Sequence, residues 1–149
     1  MTAPIGLAVV ARARAWIGTP YLHQASVQGA GADCLGLLRG IWRALYGQEP
    51  ETVPAYTADW SEPACDERLW QAAERHLLGK PSSGAAAGDI LLFRMHPGGV
   101  AKHLGIAARI GADASFIHAY SRHGVVESPL SAPWARRIVA RFEFPERGV

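Results

Sequence analysis

Asp33-Cys34-Leu35-Gly36-Leu37-Leu38-Arg39-Gly40-Ile41-Trp42-Arg43-Ala44-Leu45 is the stretch on which the reading of the fold turns. Counting from Cys34, apolar residues recur at offsets 0, 1, 3, 4, 7, 8 and 11, a wide helical stripe. The pattern predicts a deeply packed helix over 34–45. Asp33 stands at the N-cap position, where a side-chain oxygen can accept from a first-turn amide, and Gly47 stands at the C-cap. Upstream, Ile5, Val9 and Trp16 share one face of a first helix over 5–17, which Gly18-Thr19-Pro20 ends. Residues 22–32 read as a Gly/Ala/Gln-rich loop.

Downstream, Pro50, Pro54 and Pro63 mark an ordered loop over 48–63. A third helix is expected over 64–78, with Asp66 and Glu67 in its first turn and Leu69, Trp70, Ala73 and Leu77 facing inward. Lys80–Gly88 reads as a linker. Beyond it the hydrophobic period shortens. Asp89–Arg94, His103–Ile110, Ser115–Tyr120, Val125–Ser128 and Ile138–Phe144 are short β-type runs separated by Gly, Pro or Asp. Helices followed by a run of antiparallel strands make an α+β fold, with N-terminal helices packed on a C-terminal antiparallel sheet.

Length and composition narrow the function. A chain of 149 residues suits one domain, expected to span 1–149, and can bury a core without disulfide or metal. With 49% hydrophobic and 19% charged residues it is no disordered tail. No apolar run is long enough to cross a bilayer, so membrane insertion is not expected. The N-terminus lacks the pattern of a signal peptide, so synthesis in the cytoplasm is expected. A net charge of +2 with scattered basic residues does not suit a nucleic-acid binder. Two cysteines make neither a disulfide scaffold nor a zinc quartet, and no cofactor is expected.

Chemistry is therefore sought among two cysteines and six histidines. Cys34 falls in the first turn of a buried helix, where the macrodipole favours thiolate over thiol and Gly36 keeps a nearby position small. A small buried core cysteine is the competing reading. A nucleophilic cysteine needs a base, and the base needs a group to orient it. His76 belongs to the outer side of the third helix and is expected to be solvated; His96 and His123 fall in turns. His103 opens one apolar strand and His118 lies inside another. If adjacent antiparallel strands pair them, one nitrogen of His103 faces Cys34 and His118 fixes the other, by the logic of nucleophile, base and orienter. Satisfied core or rim histidines are the alternative. Asp89 reads as a residue that pins the turn entering its strand, Cys65 as incidental, and the five tryptophans as core or interface.

Five blocks in order resemble the NlpC/P60 family: Gly18-Thr19-Pro20-Tyr21, Asp33-Cys34-Leu35-Gly36-Leu37, Gly88-Asp89-Ile90-Leu91-Leu92-Phe93, His103-Leu104-Gly105-Ile106 and Phe116-Ile117-His118-Ala119. Gly18 to Trp60, with Tyr21-Leu22-His23-Gln24 and Glu49-Pro50-Glu51, is similar to the phage-type branch encoded among tail genes of phages and gene transfer agents. The resemblance implies a papain-like α+β core and a cysteine peptidase. It would cleave peptide bonds in peptidoglycan stem peptides, of the γ-D-glutamyl–diamino acid type, and aid cell-wall penetration. Cys34 matches the nucleophile, His103 the general base and His118 the polar residue that orients the imidazole. Tyr21 matches a tyrosine that positions substrate or supports the oxyanion, and Asp33 an acidic residue that helps bind substrate.

The chain also departs from the family pattern. Leu35 follows the cysteine where serine is common, His23-Gln24-Ala25 replaces Trp-Gly-Gly, and Lys102 precedes His103 where glycine is usual. No SH3 or LysM wall-binding module is recognisable. A tail hub or baseplate protein is thus the expected partner, and action in the target cell's periplasm or wall, delivered by a particle, the expected location. Three rivals use the same residues: an amidase or acyltransferase, a non-catalytic tail-tip component, and a metal site on Cys34, His103 and His118. Sequence-readable zinc sites have tight ligand spacing such as C-x₂-C or H-E-x-x-H, and neither occurs here.

Overall fold

The computed structural model describes residues 4–53, 55–56 and 67–146, with backbone alone at Pro4. Pro54, Pro63, Cys65 and the start of the expected third helix, Asp66 included, lie outside the described residues. Helix α1 runs Pro4–Ala15 and a two-residue hairpin follows, β1 (Ser26–Val27) and β2 (Gly31–Ala32). Helix α2 spans Cys34–Tyr46 and α3 Arg68–His76. The strands β3 (Leu78–Lys80), β4 (Ile90–Arg94), β5 (Ala101–Arg109), β6 (Ser115–Tyr120), β7 (Gly124–Pro129) and β8 (Ile138–Glu143) complete the fold, with a single helical turn α4 (Ala132–Ala135) before the last.

The strands form one antiparallel sheet in the order β3-β8-β4-β5-β6-β7. The α+β expectation holds, with three differences. The 22–32 loop contains a short hairpin held by Ser26↔Ala32 and Val27↔Gly31. The Lys80–Gly88 linker begins inside a strand, because Leu78–Lys80 pairs with β8 at the sheet edge. A three-residue strand carries too little periodicity to be read. Helix α3 starts at Arg68, and Glu67 leaves the helix to accept from the Ala101 amide at 2.9 Å, which pins α3 to β5. Of the expected inward residues Leu69, Ala73 and Leu77 are buried and Trp70 is partly so.

The sheet has two apolar faces. On one, α1 and α2 pack Val9, Ala13, Leu37 and Ile41 against Leu104, Ile106 and Ile117. Alternation along the strands sends the neighbouring residues to the opposite face. There Leu91, Phe93, Ala107 and Phe116 are covered by Met95, Leu130, Trp134 and Ile138.

Asp89 is 1% exposed. Its carboxylate accepts from Lys80 Nζ at 2.9 Å, Arg141 Nη1 at 2.7 Å and the Ala86 amide at 2.8 Å. It pins the turn into β4, as its position suggested, and also ties β3, β4 and β8 together. Removing one partner of such a buried pair strands the others' charge and costs about 3–5 kcal/mol. Asp89→Ala should therefore lower the urea midpoint by that stability with an unchanged m-value. A midpoint equal to that of the wild type would deny the cluster this role.

Candidate functional site

The start of α2 is set by Asp33, which is 2% exposed. Its Oδ1 accepts from the Gly36 amide at 2.7 Å, the side-chain cap expected from sequence. Its Oδ2 accepts from the Gln24 amide at 2.7 Å and from the Tyr56 hydroxyl, while His23 Nδ1 stands 3.7 Å away. The Ala25 carbonyl accepts from the Asp33 amide at 3.3 Å and passes so close to Gly36 that a Cβ there would lie 1.8 Å from its oxygen. Only glycine fits at Gly36.

Cys34 follows as the first helical residue and is 7% exposed. Its sulfur receives backbone hydrogen bonds from Leu104, Leu35 and its own residue. Each lowers the thiol pKa and therefore stabilises thiolate, which identifies the donors as amides. Leu104 belongs to β5 and adjoins His103. Its amide is available because β5 and β6 separate before reaching it. Their pairing runs through Arg109↔Ser115 and Ala107↔Phe116 to Ile106↔Ile117, the last pair toward His103. Ala107 bonds to Gly88 and Asp89 on the β4 side at 2.7 and 2.8 Å, so by alternation the Leu104 amide points toward β6. The Cys34 sulfur, at the N-terminus of α2, meets that amide.

His103 and His118 lie on the neighbouring strands β5 and β6, 8% and 0% exposed. His103 Nε2 is 2.8 Å from His118 Nδ1. The approach foreseen for the two rings is thus present, and it leaves Nδ1 as the His103 nitrogen not engaged by His118. Trp134 packs its ring 5.8 Å from His103 and 5.2 Å from His118, and Tyr120 lies 6.0 and 5.2 Å from them. Gly105 sits beneath this cluster, where a Cβ would approach the Phe116 ring to 2.8 Å and His118 Cβ to 3.3 Å.

The electrostatics correct one expectation. Burial, followed by the Asp33 carboxylate, pushes the Cys34 thiol up to about 12, against the helix dipole and the three amides. Burial and then His118 push His103 down to about 3; burial and then His123 push His118 down to about 4. At rest the thiol and both imidazoles are therefore neutral. The dipole's half charge does not offset removal of a thiolate from water.

Tyr21, joined to Ala32 by a parallel bridge, is half-buried, and its hydroxyl is raised to about 12 by burial, then by Cys34 and Asp33. The charges of both Cys34 and Asp33 are thus felt at the Tyr21 hydroxyl. Tyr56 is held protonated by burial first and then by its bond to Asp33. Sequence reading missed three participants. Tyr56 lies in a loop whose prolines hide any period, and its carbonyl is bound by His23 Nε2 at 3.0 Å and Gln24 Nε2 at 2.6 Å. Ser128 Oγ lies 2.9 Å from His118 Nε2. Trp134 packs on the second apolar cluster, in keeping with its reading as core or interface, and in addition walls the histidine pair. Of the other histidines, His123 stacks on Tyr120 at 5.2 Å, and His76 is bound to Glu51 at 2.9 Å and not left to solvent.

Between α2, α3 and the sheet lies a cavity of about 300 Å³, lined by Leu35, Leu38, Trp42, Leu69, Leu77 and Leu104 among others. Leu35, the departure from the family pattern, thus contributes to an apolar wall next to the cysteine. Among the described residues no group of three or more His, Cys, Asp or Glu side chains is placed to hold a metal ion.

A neutral thiol reacts through its small thiolate fraction. Alkylation of Cys34 by iodoacetamide, located by peptide mapping to separate it from Cys65, should accelerate roughly tenfold per pH unit between about pH 7 and 9. A rate already flat across that range would mean a preformed thiolate–imidazolium pair.

No protein-family model and no curated protein matches this sequence. Solved structures do. The NlpC/P60 domain of peptidoglycan hydrolase SagA is similar over 93% of this chain and 98% of that one, with 25% identity and a TM-score of 0.64. An NlpC/P60 family protein from Bacillus cereus ATCC 10987 is similar over 95% of this chain and 40% of that one, with 17% identity and a TM-score of 0.64. Ly7917 with the hydrolyzing product of MDP is similar over 94% of this chain and 63% of that one, with 14% identity and a TM-score of 0.57. The α+β fold described above is that of NlpC/P60 domains.

Proposed function

We propose that this chain, whose fold is shared with the NlpC/P60 domain of a peptidoglycan hydrolase, is a cysteine peptidase acting on peptidoglycan stem peptides, at bonds of the γ-D-glutamyl–diamino acid type. The observation that carries the reading is the His103–His118 hydrogen bond, one residue from the Leu104 amide that meets the Cys34 sulfur. In this reading residues 1–149 act as one catalytic domain.

His103 Nδ1 takes the thiol proton as Cys34 Sγ attacks the scissile carbonyl carbon. The developing oxyanion accepts from the Cys34 amide at the mouth of α2 and from the Tyr21 hydroxyl. His103 then gives its proton to the leaving amine and the C–N bond breaks. Water attacks the thioester, His103 takes a proton from it, and the carboxylic acid leaves as the thiol reforms. Because the site rests neutral, charge separates only as the bond forms, and the electrostatic donors act on the transition state and not on the resting enzyme. Asp33 serves first to hold the helix start and Tyr56. Contact with substrate is left to Tyr21, Tyr56 and the apolar wall that Leu35 begins.

The particle context is part of the same proposal. His23, Gln24 and Glu49, which carry the phage-type resemblance, order the walls of the site. The first two bind the Tyr56 carbonyl, and Glu49 holds Arg39 and Arg43 at 2.6 and 2.9 Å. On this reading a tail hub or baseplate protein carries the enzyme, and it acts in the wall or periplasm of the target cell.

With purified sacculi, the wild type should release new amino groups and Cys34→Ala should release none, with unchanged circular dichroism and urea midpoint. Tyr21→Phe should slow release by about 10²–10³-fold, the usual loss for one oxyanion donor. Turnover by Cys34→Ala would refute the peptidase reading. Mass spectrometry of the fragments tests the bond assigned.

A further inference from the structure

The strands place a third side chain in line with the two histidines. In the β6–β7 register Phe116 faces Ser128 and His118 faces Val126, so Ser128 is the diagonal neighbour of His118 on the same side of the sheet. Its Oγ lies 2.9 Å from His118 Nε2, and His118 Nδ1 lies 2.8 Å from His103 Nε2. Both ring nitrogens of the fully buried His118 are thus engaged, one by each neighbour. The surrounding rings of Phe116, Tyr120 and Trp134 offer little else to a polar group.

We propose that Ser128 is a positioning residue that, acting through His118, allows Nδ1 of His103 to be the base; this rests on the cysteine-peptidase reading above. A neutral imidazole has one N–H donor and one lone-pair acceptor. For His103 to accept a proton at Nδ1, its own proton must sit on Nε2 and be donated to His118 Nδ1. His118 must then carry its proton on Nε2 and donate it to an acceptor, which is Ser128 Oγ; a hydroxyl can also donate, so Ser128 permits this arrangement without excluding the reverse one. Without that hydroxyl the His118 Nε2–H would be buried with no acceptor, a state that costs more than its alternative. The alternative puts the proton on His118 Nδ1, donates it to His103 Nε2, and forces the His103 proton onto Nδ1. In that arrangement His103 cannot act as a base toward the thiol.

The test uses Ser128→Thr and Ser128→Val, nearly identical in shape and both suited to a strand, differing in the hydroxyl. Two readouts are taken on the full-length protein. One is kcat and KM for release of amino groups from peptidoglycan. The other is the tautomer of each imidazole from long-range ¹H–¹⁵N correlation spectra. The wild type and Ser128→Thr should show the Nε2–H tautomer at both His103 and His118. Ser128→Val should show Nδ1–H, with kcat lower by about 10–100-fold, the range expected from one unsatisfied buried donor, and KM little changed. Equal tautomers and equal kcat in the Thr and Val variants would overturn the proposal. So would a loss of kcat in both, or a loss in Ser128→Val with the tautomer unchanged. If the wild type itself fails to cleave peptidoglycan, the peptidase reading falls, while the spectra still decide whether Ser128 sets the tautomer.

Discussion

The buried carboxylate of Asp33 is the constraint on which the site depends. Four groups from three stretches of chain converge on it: the Gly36 amide from α2, the Gln24 amide and His23 ring from the segment before the hairpin, and the Tyr56 hydroxyl from the loop after α2. A helix can begin in several registers unless its first turn is capped. Here the cap also carries the neighbouring walls, so the position of Cys34 and the surroundings of Cys34 are settled together. The same carboxylate raises the thiol pKa. Burial is the larger cause of the neutral thiol, and the residue that holds the sulfur in place adds to it.

The sheet contributes the complementary half. Strands β5 and β6 pair through Ile106↔Ile117 and no further toward His103, and the Leu104 amide meets the Cys34 sulfur. Across β5, β6 and β7 the side chains of His103, His118 and Ser128 form a hydrogen-bonded row walled by Trp134. The two histidines are too buried to carry charge at rest. In the proposed reaction a proton on His103 is a transient event, favoured by the charge then developing on the substrate. A neutral resting thiol limits indiscriminate reactivity toward soluble electrophiles.

Much of this was legible in the residues. The stripe from Cys34 to Leu45 and its two caps specify α2 to within a residue of its end, because a wide apolar face and local capping point to the same answer. The alternating runs after Gly88 locate five strands, and the placement of His103 and His118 inside two of them foreshadows their contact. What was hidden depends on tertiary pairing. Leu78–Lys80 becomes a strand only because β8 offers an edge. Tyr56 reaches Asp33 across 23 residues of chain, with no local signal. Ser128 was within reach of the same reasoning that found the histidines. A tight turn at 121–124 fixes the β6–β7 register, and the register makes Ser128 the diagonal neighbour of His118. The charge state of Cys34 was misjudged because the helix dipole was weighed and the cost of burying a thiolate, implied by the same apolar stripe, was not.

Everything proposed for the chemistry requires that turnover pass through one sulfur. The most direct measurement titrates the protein with iodoacetamide and follows peptidoglycan hydrolysis alongside peptide maps that distinguish Cys34 from Cys65. The account predicts that activity falls in proportion to carboxamidomethylation of Cys34, vanishes when that residue is fully modified, and does not depend on Cys65. Hydrolysis persisting in protein fully alkylated at Cys34 would contradict it.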